Sequence, residues 1–340
     1  WKLEPFEGKL QCEKFIGGSV REYNCLTFSH QGDLLYAGST TGDISIYSIR
    51  GLNLIQKIQV CSLGVRTMYL SLNDYIVACG GDGTISMLQE DGRGWATVSK
   101  TELSKHPVTA LSVSSNESQI LAGCQNGNII LLNMRSFNKP ILHCENHFGP
   151  VLDVQFQKGV NDRFATCSTD NTIRIWDAAD YSVYAKATFK ASDANPLCLT
   201  YVRDIIFSGW SDGSIRSIDS ETGDVIMNNP NSHRSPITSI AGASNAKFYV
   251  TGGDEGSVRV WEIRNQSLVS HFKEHHSTVT QLRMFNDDIH ILSAGRDRRI
   301  FCWDLRMKHC ASTHTVPMGA VNDIALQSNQ YNFISVGANK

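Results

Sequence analysis

A β-propeller of four-stranded antiparallel blades is the all-β fold predicted for this chain of 340 residues, on three observations. A polar turn followed by an aliphatic run recurs along the chain, the recurrence keeps a nearly constant period, and each period divides into short alternating runs. The turns read Thr41-Gly42-Asp43-Ile44, Asp82-Gly83-Thr84-Ile85, Asn126-Gly127-Asn128-Ile129, Asp170-Asn171-Thr172-Ile173, Asp212-Gly213-Ser214-Ile215, Glu255-Gly256-Ser257-Val258 and Asp297-Arg298-Arg299-Ile300. Their aliphatic markers are spaced by 41, 44, 44, 42, 43 and 42 residues.

One period shows how the elements follow. Val151 to Phe156 alternates as an inner strand, Phe164 to Cys167 makes a second, and Asp170-Asn171 is the hairpin. Ile173-Arg174-Ile175-Trp176 is the third strand, and an outer strand follows. Gly, Asn and Asp suit the hairpin because its central residues take positive φ. Alternation places Ile173 and Ile175 on one face and Arg174 and Trp176 on the other. A lone blade cannot cover both faces, so blades must stack. Complete repeats are expected near 19–49, 65–91, 107–135, 150–178, 196–219, 236–263 and 278–305, with a partial or split repeat from 320–340 together with 1–15. Aligning Trp1 with Trp261 and Lys340 with Gly256 leaves four residues between the two ends, which suits a split eighth blade. A longer array cut at both ends explains the same phase, and Trp1 in place of Met leads us to expect a fragment.

Composition narrows the function classes. Lys+Arg 31 against Asp+Glu 33 gives a net charge of −2, without the basic field that nonspecific nucleic-acid binding needs. No apolar window approaches the ~18 residues of a membrane span and the first residues do not form a signal peptide, so a soluble intracellular chain is expected. Ten Cys without a CxxC pair predict reduced core thiols in place of disulfides or zinc. Neither cofactor, metal nor small-molecule substrate is expected.

Several residue sets nevertheless carry chemical types. His271-Phe272-Lys273-Glu274-His275 matches H-x-x-E-H, but that site needs a helix, and in an extended segment the two His stand about 13 Å apart. Gly80-Gly81-Asp82-Gly83 falls at a hairpin, not between a strand and a phosphate-binding helix. His147, Ser168 and Asp170 have the types of a hydrolase triad, yet parts of the set recur from repeat to repeat, which speaks for scaffolding. Trp210, Arg234, His276 and Arg296, with Arg298 and Arg299 beside it, are candidate partner-binding residues because aromatic and Arg side chains anchor interfaces. Trp210 could equally fill space between blades, and Trp95 could fold back onto one.

Trp176-Asp177, Trp303-Asp304 and Trp261-Glu262 end third strands, and His147, His233 and His275 precede inner strands; in this the chain resembles the WD40 family over essentially its whole length. The resemblance implies a structural tetrad of His147, Ser168, Asp170 and Trp176 within one blade. It implies a degraded set elsewhere, with Gly295 in place of Ser in the repeat of His275, Asp297 and Trp303. The run from Gly38 to Ile44, Phe164 to Trp176, Phe207 to Ile226, Ser232 to Pro236, Gly252 to Ile263 and Lys273 to Val279 is similar, in order, to the cilia- and flagella-associated protein 52 family. The stretch from Cys61 to Leu88 departs from it. That resemblance implies a non-enzymatic scaffold of the axoneme in cilia and flagella, with tubulin and inner-junction proteins of doublet microtubules as partners. It also implies a junction between tandem propellers near 136–150. The alternative is a cytosolic or centriolar adaptor of the same repeat class that binds peptide motifs.

Overall fold

The computed structural model describes residues 2–3, 10–11, 22–160, 162–188, 194–316, 319–327 and 332–338, and among them every regular element is a strand. Seven four-stranded antiparallel sheets follow the chain at 23–59, 65–102, 108–145, 151–188, 196–229, 237–272 and 279–315, and are numbered here as blades one to seven. The expected repeats and the observed blades share their phase. The observed blades extend further because the outer strands lack the aliphatic signature.

Burial follows strand position. The third strand Thr172–Asp177 is buried from Thr172 to Trp176, both faces covered by neighbouring blades, and Ile129 to Leu132 in blade three are fully buried. The outer strands Asn53–Gln59 and His309–Thr315 alternate between exposed and half-buried residues, as a strand with one wet face must.

The first strands carry a repeated irregularity. Their pairing slips at Tyr23/Cys25, Val65/Thr67, Val108/Ala110, Val151/Asp153, Pro196/Cys198, Ile237/Ser239 and Val321/Asp323. Such a bulge frees one residue from the ladder and re-aims its side chain. Here the freed side chain reaches the next blade. Asn24 Nδ2 donates to Val65 O at 2.9 Å, Thr109 Oγ1 to Val151 O at 2.5 Å, and Thr238 Oγ1 to Val279 O at 2.5 Å.

The chain divides into two compact units, 1–105 with 280–340, and 106–279. The second holds blades three to six. The first holds blades one and two, blade seven from Thr280 onward, and a half-blade of two strands, Val321–Leu326 and Phe333–Gly337. Within that unit the half-blade stands between blades seven and one. Thr280 Oγ1 donates to Val321 O at 2.7 Å and Asn322 Nδ2 to Tyr23 O at 3.0 Å, the same step that joins the complete blades. Asp323 adds a second link, its Oδ2 accepting the Leu26 amide at 3.0 Å and its Oδ1 the Ile324 amide at 2.9 Å. Asp153 occupies the same place in the other unit, bonding Leu199 N at 2.9 Å and Val154 N at 2.8 Å.

Lys2–Leu3 pairs with Leu10–Gln11 in a sheet of its own, not joined to the half-blade among the described residues. Trp1 and Lys340, on which the expected phase of the split repeat rests, lie outside them. Ser136–Glu145 is the outer strand of blade three, with two slips in its pairing, and neither unit boundary falls within 136–150. Trp95 begins the outer strand Trp95–Glu102 and is buried, edge-on to Tyr36 at 5.1 Å, while Gln56 bonds both its amide and its carbonyl at 2.8 Å. The described cysteines are all free thiols, and burial pushes Cys61 up to about 11 and Cys124 to about 12, away from the reactive thiolate.

Removing the Asp323 carboxylate orphans two buried amides. Asp323→Ala is expected to cost about 2–4 kcal/mol in urea unfolding, against less than about 0.5 kcal/mol for an exposed control such as Asp91→Ala. Burial pushes Asp153 up to about 7, so the native state holds a proton that the unfolded chain has released above its usual 3.8. That contribution falls as pH rises between those values and is constant above them. Asp153→Asn is therefore expected to flatten the decline in urea midpoint between pH 5 and pH 8.

Candidate functional site

The turn between second and third strands is where the sequence places its most distinctive residues. In blade four, His147 Nδ1 donates to Asp170 Oδ2 at 2.9 Å, and its Nε2 lies 2.9 Å from Thr166 Oγ1. Trp176 Nε1 donates to the same hydroxyl at 3.0 Å. With Asp170 fixing the proton on Nδ1, the Thr166 hydroxyl accepts from Trp176 and donates to Nε2, so every partner is satisfied. Burial pushes the imidazole below its ordinary value, against the pull of Asp170, and keeps it neutral.

The tetrad hydroxyl is therefore Thr166, correcting the expectation of Ser168. Alternation puts both hydroxyls on one face, and position along the strand separates them: Ser168 stands at the last position of its strand, fully buried, and its Oγ donates to Gly149 O at 2.8 Å and accepts from Asp170 N at 3.2 Å. The offset corrects a second expectation. In blade seven, Trp303 Nε1 donates to Ser293 Oγ at 2.8 Å, so Gly295 does not stand in place of the hydroxyl. Blade six holds a complete network with Glu for Asp. There His233 Nδ1 meets Glu255 Oε1 at 3.1 Å, His233 Nε2 meets Thr251 Oγ1 at 2.8 Å, and Trp261 Nε1 donates to that hydroxyl at 2.9 Å. Thr166, Thr251 and Ser293 each precede their Trp by ten residues, a constant offset that was available in the sequence. Ala37, Ala78 and Ala122 hold the corresponding strand positions of blades one to three and supply no hydroxyl.

The turn carboxylate does more than hold the imidazole. Asp170 Oδ1 accepts from Thr172 N at 3.1 Å and Thr172 Oγ1 at 2.6 Å, stabilising a turn in which Asn171 has φ 63°. Its Oδ2 accepts from the amide of Phe148 at 3.2 Å. Glu255 Oε2 likewise accepts from Arg234 N at 2.6 Å, and Asp82 Oδ2 from Ser62 N at 2.7 Å. Burial alone would raise Asp82, yet hydrogen bonds from Thr84 and Ser62 outweigh it and bring the carboxyl to about 2. The turn glycines allow blades to close up: Gly213, at φ 75°, would place a Cβ 2.4 Å from His233 O.

Trp210 is fully buried, which corrects the expectation that it binds a partner and agrees with the alternative that it fills interior space. Its Nε1 donates to Ser208 Oγ at 2.8 Å, and the Arg216 guanidinium stacks on its ring at 3.8 Å while bonding Asp212 at 2.8 Å. Blade five has Ile218 where its neighbours have the strand Trp, and Trp210 supplies the indole from the opposite strand. Arg234 and His276 are exposed in one unit; Arg296 and Arg298 are exposed, and Arg299 half-buried, in the other. His271 lies on the outer strand Ser267–Phe272 and bonds Ser257 Oγ at 3.2 Å, so no helix presents the two His of the H-x-x-E-H match. Among the described residues no cluster of three or more His, Cys, Asp or Glu could hold a metal, and no helix is long and apolar enough to cross a membrane.

This geometry defines a WD40-repeat β-propeller, and the WD domain, G-beta repeat model matches residues 226–262 and 266–304. The model described as nucleolar protein 10-like, N-terminal domain matches residues 2–215, and the chain belongs to that β-propeller family. Curated relatives are cilia- and flagella-associated proteins 52. The Bos taurus protein is 28% identical over 317 residues, covering 90% of this chain and 49% of that protein. The Chlamydomonas reinhardtii protein is 24% identical, covering 90% and 50%. The chain thus spans about half the length of the curated relatives it matches. Among solved structures, the computationally designed Ika8 protein superposes with a TM-score of 0.82 at 20% identity, covering 94% of each chain. Saccharomyces cerevisiae Sqt1 gives 0.82 at 14% identity, covering 93% of each.

Thr166→Val keeps the shape and removes the hydroxyl shared by two buried nitrogens. It is expected to cost about 2–3 kcal/mol in urea unfolding, at least twice the cost of Ser168→Ala. Because His147 and His233 are buried neutral, both pushed below the ordinary value, their contribution is lost as pH falls below about 6.5. His147→Asn with His233→Asn should reduce the acid dependence of the urea midpoint below that pH.

Proposed function

We propose that the chain is part of a non-enzymatic scaffold of the ciliary or flagellar axoneme, resembling a doublet-microtubule inner protein that binds tubulin and neighbouring axonemal proteins. The single observation that carries this reading is the similarity to cilia- and flagella-associated protein 52 over 90% of the chain in relatives as distant as Bos taurus and Chlamydomonas reinhardtii. The site supports it. Each imidazole, carboxylate and hydroxyl described in the networks of blades four and six holds one strand or loop to another, and the hydroxyl beside the imidazole, Thr166, is fully buried. Blades fixed in this way present loops whose modest contacts add up to slow dissociation. The exposed Arg296 and Arg298, with Arg299 beside them, are candidates to meet acidic surfaces. Tubulin is the partner inferred for them from the resemblance.

A second reading follows from the nucleolar description of the family model that covers residues 2–215. The peptide-binding adaptor of the cytosol or centriole is the third. One fractionation separates them. The full-length tagged protein, expressed in ciliated cells, is expected to stay with axonemal doublets through detergent and high salt. Recovery in nucleoli would favour the second reading, and release with detergent the third. Replacing Arg296, Arg298 and Arg299 by Glu should lower retention at least severalfold while leaving the thermal midpoint within about 2 °C. Equal retention of the folded variant would remove these residues from the interface.

A further inference from the structure

The most exposed large apolar side chain among the described residues lies beside a buried hydrogen-bond network. Phe148 is 93% exposed, whereas His147, the residue before it, is 5% exposed. A mobile Phe on a loose loop would carry little meaning, since single exposed apolar residues are normal on surfaces. This loop is not loose. The Phe148 amide donates to Asp170 Oδ2 at 3.2 Å, Gly149 O accepts from Ser168 Oγ at 2.8 Å, and Pro150 O accepts from Thr169 N at 3.0 Å. Gly127 of blade three packs so closely beneath it that a Cβ there would stand 2.2 Å from His147 O. The backbone is set before any partner arrives, and a Phe ring has only two torsions to freeze.

The same backbone bond recurs elsewhere with different side chains. Ser62 and Arg234 also give their amides to the turn carboxylates Asp82 and Glu255, and Arg234 also points to solvent. The residue after the His position is thus a recurring presentation point, and at Phe148 that point carries an apolar ring.

We propose that Phe148 is the anchor of a protein–protein interface, inserting its ring into an apolar pocket of the partner. A protein is favoured over a nucleic acid because the Phe148 amide is bonded to the Asp170 carboxylate on a chain of net charge −2, whereas single-stranded nucleic acids take stacking aromatics within basic grooves. Placing that partner on the doublet rests on the axonemal reading above. Exposed rings buried at the centre of an interface are typical hot spots, and truncating one weakens binding tenfold or more.

The test uses the full-length protein in ciliated cells as wild type, Phe148→Ala and Phe148→Leu. With the thermal midpoint of Phe148→Ala unchanged, as its exposure requires, at least a tenfold larger fraction should leave the doublets in high salt, and Phe148→Leu should stay close to wild type. Retained wild type with equally retained Phe148→Ala overturns the anchor and leaves the axonemal reading intact. Wild type that washes out sinks the axonemal reading instead. The anchor is then decided by a benzophenone side chain placed at position 148. A covalent adduct with one protein, which once purified binds Phe148→Ala at least tenfold more weakly, supports it. No adduct, an adduct with nucleic acid or with a second copy of this chain, or equal binding overturns it.

Discussion

A four-stranded blade with apolar side chains on both faces is insoluble until both faces are covered, and this constraint governs the molecule. The third strands show it most clearly, since Ile129 to Leu132 and Ile173 to Trp176 have no wet face to spare. Each blade must therefore be placed against its neighbours with little tolerance, and the polar groups in the structure serve that placement. Bulges turn Asn24, Thr109, Thr238 and Asn322 toward the next blade, where they find a carbonyl. The glycines of the turns let a loop of the following blade come within a distance that any Cβ would block.

Within a blade, the carboxylate of the turn has the largest share of the polar work. One oxygen caps the hairpin and the other ties down the loop that opens the blade, so the position of the imidazole, the turn and the loop are set together. Blade six shows that the role belongs to the charge and its reach, because Glu255 bonds His233 and the Arg234 amide as Asp170 bonds His147 and the Phe148 amide. A site assembled in this manner has few degrees of freedom left for turnover. Its rigidity suits holding.

The period, the strands and the turns were legible in the sequence because hairpin chemistry and alternation are local. The tetrad was legible in part. His147, Asp170 and Trp176 are where the resemblance puts them, but the hydroxyl belongs to Thr166, and only the ten-residue offset shared by Thr251 and Trp261 and by Ser293 and Trp303 distinguishes it from Ser168. Trp210 misled because a Trp at a turn reads as surface. The isoleucine at 218, which leaves room for its indole beneath Arg216, is a signal on the facing strand and not beside it. The half-blade was legible as a partial repeat. Its position between blades seven and one is a contact between distant parts of the chain, and no local pattern encodes it.

That last contact sets a condition on how the protein is made. Leu26 waits for Asp323, which is 297 residues away, and the inner strand of blade one has an uncovered flank until the half-blade arrives. At ribosomal speeds of roughly 5–20 residues per second the interval is on the order of 15–60 s. Closure between such remote segments is slow by topology alone. During synthesis, the earliest strands are thus the last to be protected, and the nascent chain is most exposed to aggregation at the end that is made first.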